Sequence, residues 1–186
     1  MNDEIRQISE QIVELKKQLS GARRKQEPEA VGEYSFKTHD DGTVTLSELF
    51  GDREDLIVVH NMGSTCQHCT LWADGFTGYL PHLDDRAEFV VISPDPPNVQ
   101  KPFYDSRGWN FKMVSADGST FVEDMGYVID GGFWPGLSAF YKTSDGDVVR
   151  TGRDFFGPDD DYCPPFRMFD LLKDGSNGWD PQFRYD

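Results

Sequence analysis

The sequence is short of several things, and each shortage excludes something. It has three cysteines, too few and too odd a number for a disulfide framework, so a close pair of thiols points to redox or metal chemistry in a reducing compartment. Positive charge is scarce. Lys+Arg total 18 against 33 for Asp+Glu, a formal net charge of −15, which repels nucleic-acid phosphates and anionic membrane surfaces. No apolar run approaches the roughly 18 residues of a membrane span, and the opening "MNDEIRQISE" has neither a basic n-region nor an apolar h-region. A soluble, cytoplasmic chain with no nucleic-acid or membrane partner is therefore expected. No Gly-x-Gly-x-x-Gly follows any predicted strand, so no nicotinamide or flavin cofactor is expected, and electrons would come from a separate reductase.

What is present bounds the rest. A chain of 186 residues with 13% aromatics predicts one domain with a sizeable core and a small appendage. The acidity is carried mainly by Asp, in clusters such as "PDDDY" and "LDDRAE", a hydrated surface suited to multimolar salt or, more plainly, to solubility.

The appendage comes first. Ile5, Ile8, Ile12, Leu15, Leu19 and Ala22 alternate spacings of three and four, a narrow apolar seam on a helix over residues 3 to about 25. Gly21, the basic "ARRK" and Pro28 end it, and a linker runs to about residue 32. Residues 1–30 thus read as helix and linker, and 31–186 as the body. The seam needs a partner: a copy of itself, giving a homodimer, or the body of its own chain.

The body alternates strand and helix. "EYSFKTH" and "GTVTL" predict short strands around an Asp-Asp-Gly turn, and "LSELFG" a helical turn closed by Gly51. "LIVVHNM" is too continuous for a half-exposed edge and predicts a central buried strand. "QHCTLWADGFTGYLPHL" predicts a helix interrupted or finished near Gly78 and Pro81, and "AEFVVISPD" a second buried strand parallel to the first. Further on come a helix over 97–108, a strand, turn and short helix in "FKMVSADGSTFVEDMGYV", and a hairpin turning at Ser144-Asp145-Gly146-Asp147. "PPFRMFDLLKD" predicts a closing helix, with Trp179, Phe183 and Tyr185 pinning the tail.

Between the first buried strand and its helix sit Cys66 and Cys69. A thiol at a helix start meets unpaired backbone N–H groups and the positive end of the dipole, both of which favour thiolate. Cys66 is the better placed, and Cys69, one turn further in, can reach its sulfur. Cys66 would attack a protein or small-molecule disulfide and Cys69 would resolve the mixed disulfide. A protonated His68 would add charge favouring thiolate. The same spacing also serves half a zinc or copper site, completed by His60, His68 or Cys163, or a metal-binding or redox-sensing module. It also serves a peroxide-reducing nucleophile, although "NMGSTC" lacks the Pro-x-x-x-Thr-x-x-Cys pattern of peroxiredoxins, or a purely structural pair.

"LIVVHNM…CQHCTLWADGF", "FKMVSADGSTFVEDMGY" and "PGLSAFYKTSDGDV", with the N-terminal helix and "SFKTHDDGTVTLSELFG", resemble the blocks of the thioredoxin-like family catalogued as domain of unknown function 899. The resemblance covers nearly the whole chain. It implies an α/β, thioredoxin-like central mixed sheet flanked by helices, related to the peroxiredoxin branch, with an N-terminal amphipathic helix and no assigned substrate. Only Gly63, Ser64 and Thr65 separate the strand end from Cys66, where family members often carry a longer insert, and Gln67 stands where such pairs often have proline. Thioredoxin folds place a cis-proline opposite the cysteines, and Pro135 in "FWPGLSAFY" is the candidate for that place, with Phe133 and Trp134 as an apolar rim for substrate. A plain turn before a strand is the alternative for Pro135.

The remaining candidates are a relaying or core His60, Trp72 packed beneath the site, a solvated Asp74 and an apolar or resolving Cys163, with no role for His39 or His82. If the Asp-rich surface is a salt adaptation, the melting curve followed by circular dichroism shifts upward from low to multimolar salt; an unchanged curve overturns that reading.

Overall fold

A computed structural model describes residues 2–158 and 160–185. The chain opens with α1 (Asp3–Arg23) and β1 (Glu29–Ala30), then β2 (Ser35–Lys37) and β3 (Thr43–Thr45) leading into the single turn α2 (Leu46–Leu49). The alternating body is β4 (Asp55–His60), α3 (Gln67–Arg86), β5 (Glu88–Ser93), α4 (Pro97–Arg107), β6 (Lys112–Ser115) and α5 (Phe121–Asp124). A ribbon of β7 (Val128–Ile129) and β8 (Gly132–Phe133) precedes the hairpin β9 (Gly136–Lys142) and β10 (Val148–Phe155), and α6 (Pro164–Phe169) closes the body.

Eight strands form one sheet in the order β1-β10-β9-β4-β5-β6-β2-β3. β4, β5 and β6 run parallel, and β9 lies antiparallel on the other edge of β4. The two-residue period divides the apolar runs between the two faces. Leu56, Val58, Val90, Ile92 and Val114 pack with Phe36, Phe121 and Tyr127 on one side. Val59, Phe89, Val91 and Met113 pack with Trp72, Phe76 and Trp109 on the other. Unbroken apolar strands require cover on both faces, and both receive it.

Four expectations change in detail. α3 does not stop near Gly78 or Pro81 but runs on to Arg86. Pro81 removes one backbone donor, yet Phe76 and Leu80 before it and Leu83 after it all pack into the same core layer, so tertiary contact holds the helix across the break. α6 is shorter than expected, because Leu171 and Leu172 beyond it stay exposed and give a longer helix nothing to pack on. The linker after α1 ends in β1, where Glu29 and Ala30 pair with Arg150 and Val149 and the Glu29 carboxylate takes the buried Arg150 guanidinium at 2.6 Å. The peptide before Pro135 is trans, like every other among the described residues. Directly after it, Gly136 lies so close to the Asp154 carbonyl and the Tyr127 ring that a β-carbon would collide with both, and this glycine lets β9 start flush against β10.

Asp74 is not the solvated residue expected. It accepts from the Arg107 side chain and from Trp109 Nε1 at 2.8 Å, and Arg107 also donates to the Phe183 carbonyl at 2.6 Å. That cluster ties α3, α4 and the tail together. Trp179 packs on Phe166 and Phe169 and stacks on Tyr185, so the tail is pinned by its aromatics as expected.

Because Pro81 is exposed and only interrupts the ladder of α3, Pro81→Ala restores a backbone donor. It is expected to stabilise the fold by about 2 kcal/mol, raising the melting temperature by several degrees. A melting temperature that stays put or falls would show that the proline is needed for the native path of the helix.

Candidate functional site

β4 delivers the chain to the end of the sheet at His60, and the next residues are held by side chains that the sequence does not advertise. Asn61 N–H donates to the Ile92 carbonyl at 2.8 Å, extending the parallel pairing by one residue. Its side chain accepts from Gly63 N–H at 2.8 Å and donates to the Cys69 carbonyl at 3.4 Å, bridging loop and helix. Asp95, beyond β5, accepts Ser64 N–H at 2.6 Å. Its carboxylate lies where a β-carbon on Gly63 would sit, and Gly63 has φ +105°. Only glycine takes that conformation and that contact without strain.

The loop turns into α3 at Cys66, which is the N-cap itself. Serine, threonine, aspartate and asparagine usually hold this place because their oxygens accept the orphan N–H groups of the first turn. Here the sulfur does so, accepting from Cys69 N–H at 3.0 Å. The Cys69 thiol also donates to Cys66, and together with the Cys69 and His68 backbone N–H groups this outweighs partial burial and lowers the Cys66 pKa to about 7. Cys69 is driven the opposite way, well above an ordinary thiol, by that same hydrogen bond, by burial and by the neighbouring Cys66 charge. Met62 N–H contacts its sulfur at 3.5 Å. One thiol is half-buried and acidic, the other buried and protonated.

Cys66 opens onto a groove of about 450 Å³ lined by Met62, Trp72, Phe133, Trp134, Pro135 and Phe156, with His68, Gly157 and Pro158 along its edge. The residues expected to face the sulfurs thus line one surface with Cys66. Phe133 and Trp134 are exposed and Pro135 is buried. Backbone bonds from Trp134 N–H to the Tyr127 carbonyl and from Phe156 N–H to the Pro135 carbonyl hold this wall in place. His68 stands between this groove and a second one of about 330 Å³ beneath the tail. Its ring lies parallel to Phe166, and Nε2 is 3.7 Å from Asp180.

The other candidates lie apart. His60 is stacked on Tyr127 at 3.8 Å, with Nε2 3.0 Å from the Ser138 hydroxyl. Burial, with the Arg150 charge adding to it, lowers its pKa to about 3 and keeps it neutral. It is a core histidine on the far face of the sheet, beside Phe121 rather than beside the thiols. Trp72 packs beneath the groove against Phe156. Cys163 caps α6 within the same core layer, its pKa raised to about 11 by burial and by Asp160. His39 bonds Gln100 at 2.7 Å, and His82 is exposed on α3. Among the described residues no three His, Cys, Asp or Glu side chains gather as a metal shell. Asn61, Asp95, Phe156 and Asp180 were missed in the sequence; only Asn61 and Gly63, as turn formers directly after a strand, carried any local signal.

With this geometry in view, likenesses to known proteins bear on the fold. No curated protein matches the chain. Among solved structures, the peroxidoxin BcpB of Mycobacterium tuberculosis is 22% identical over 65% of this chain and 80% of its own, with a TM-score of 0.52. A peroxiredoxin-like protein from Aquifex aeolicus is 16% identical over 69% and 74%, at 0.56. Reduced Prx3 from Vibrio vulnificus, solved with hydrogen peroxide, is 14% identical over 71% and 88%, at 0.57. These show the fold expected from the sequence, a thioredoxin and peroxiredoxin type of sheet flanked by helices. The model of the family described as "Bacterial protein of unknown function (DUF899)" matches residues 6–180, and the chain therefore belongs to that family.

Proposed function

We propose that the protein is a thiol–disulfide oxidoreductase in which Cys66 attacks and Cys69 resolves. The observation that carries this reading is the opposite fate of the two thiols: an accessible sulfur held as thiolate near neutral pH by its own resolving partner. The Cys66 thiolate bonds one sulfur of a substrate disulfide, the substrate S–S bond breaks, and the other half leaves as thiolate and takes up a proton. Once Cys66 is in the mixed disulfide, the hydrogen bond to its thiolate and the charge that, with burial, raised the Cys69 pKa are both gone. Cys69 gives up its proton, its sulfur bonds Cys66 Sγ, and the second substrate thiolate leaves. The substrate gains two electrons and the pair becomes a disulfide, to be reduced again by a separate dithiol-bearing reductase.

The apolar groove supports protein or small-molecule disulfides with apolar flanks, Phe133 and Trp134 giving the rim and Pro135 the floor. His68, at the helix start with Asp180 nearby, adds positive charge beside Cys66 whenever it is protonated.

The peroxiredoxin likeness of the fold favours a second reading, in which the Cys66 thiolate attacks a hydroperoxide, the O–O bond breaks and the alcohol or water leaves with a proton, and the resulting sulfenic acid condenses with the Cys69 thiol to a disulfide, releasing water. Turnover separates the two. Rapid peroxide consumption by Cys69→Ser with an added thiol reductant, lost in Cys66→Ser, favours the peroxidase.

The test of the first reading is equilibration in graded glutathione buffers followed by alkylation and mass spectrometry. A reversible Cys66–Cys69 disulfide with Cys163 always free is expected, and a pair that never closes overturns the proposal. Alkylation of Cys66 should accelerate as pH rises through about 7, where the thiolate fraction grows, and level off about one unit above. In Cys69→Ala the midpoint should move up, because the S–H and its charge-stabilising bond are lost. A smaller upward move is expected in His68→Gln, with a more reducing couple; an unchanged midpoint there would leave His68 as groove wall alone.

A further inference from the structure

We propose that two copies of this chain associate antiparallel through α1. This goes beyond the redox reading and is independent of it. Not one residue of the 21-residue helix is buried. Ile5, Ile8, Ile12, Leu15 and Leu19 are each 47–62% exposed. The helix is tied to its own body by ion pairs in its C-terminal half, Lys16 to Asp161 and Arg23 to Asp154, both 2.5 Å. Between helix and body lies an open groove of about 840 Å³, with Ile12 and Leu19 on one wall and Phe155, Phe156 and Pro158 on the other. The seam's alternative partner, its own body, therefore leaves it half in water. Helices of this length owe their stability in water mainly to packing of an amphipathic face.

Two independent features of α1 select the occupant and its direction. The first is the seam. A spacing of three and four repeats is the a/d pattern of a coiled coil. In the antiparallel register that sets Ile12 against the partner's Leu15, Ile8 meets the partner's Leu19 and Ile5 meets the partner's Ala22. Every seam residue then has an apolar opposite.

The second is charge. Asp3, Glu4, Glu10 and Glu14 occupy the first two thirds of the helix with Arg6 as the one base, whereas Lys16, Lys17, Arg23, Arg24 and Lys25 follow with no acid among them. The same register lays the acidic first half of each helix along the basic second half of its partner, and sets Glu4 on the same flank as the partner's Lys25. Parallel pairing would set acid on acid and base on base. Lys17, Arg24 and Lys25 make no ion pair among the described residues, although the chain carries an excess of carboxylates. A two-fold pairing of this kind is self-complementary and closes at two copies.

Cross-linking tests direction and register together. In a Cys66→Ser, Cys69→Ser background, Ile8→Cys protein mixed with Leu19→Cys protein should form an 8–19 disulfide dimer under mild oxidation, located by mass spectrometry, and neither protein alone should do so efficiently. Efficient dimers from Ile8→Cys alone would mean parallel pairing and overturn the proposal. A full-length chain that sediments as a monomer at about 100 μM would overturn it as well. Independently, Glu4→Lys should weaken dimerisation on the order of fivefold, since the contact occurs twice in a two-fold dimer, and adding Lys25→Glu should restore it. Equal affinities across that set would show that charge does not set the direction. Because all these positions are exposed, circular dichroism should be unchanged throughout.

Discussion

β4 is hydrogen-bonded along both edges, in parallel to β5 and antiparallel to β9, and the thiol site follows from that double pairing. A parallel neighbour obliges the chain to leave the sheet and cross over before returning, so α3 must begin just beyond His60. An antiparallel neighbour on the other edge brings the start of β9, and with it Phe133 to Gly136, to the same end of the sheet. Cys66 and the apolar wall thus meet without any direct bond between them. Each is placed by the strand it is attached to, and the strands are fixed by two apolar layers.

Within that frame the acidity of Cys66 comes from an unusual choice of helix cap. An oxygen at the N-cap would satisfy the first turn equally well, but a sulfur turns the same backbone donors into stabilisation of a thiolate. The neighbour that stabilises Cys66 is Cys69, and the bond that lowers one pKa raises the other. Asn61 and Asp95 set the approach to α3 through the loop, one bridging to the Cys69 carbonyl and the other holding Ser64 N–H where only a glycine at position 63 leaves room.

Much of this was legible because it is local. The continuous apolar run of β4, the thiols at the following helix start and the Ser-Asp-Gly-Asp hairpin turn each announce themselves within a few residues, and the narrow seam of α1 shows in its spacing. What was not legible depends on contacts distant in sequence. Pro81 reads as a stop until Phe76, Leu80 and Leu83 are seen to share one core layer. Asp74 reads as solvated until Arg107 and Trp109 arrive from the end of α4. Nothing near Asp180 announces that the tail will return to His68. Pro135 lines a groove with Cys66, but its peptide is trans and not the cis form expected.

Phe156, Gly157 and Pro158 line both the thiol groove and the cavity under α1. These three residues form a partition one chain thick, with Cys66 on its front and the helix at its back. The N-terminal arm, far from Cys66 in sequence, thus shares a boundary with the Cys66 sulfur, and a displacement of that wall would widen one side as it narrows the other.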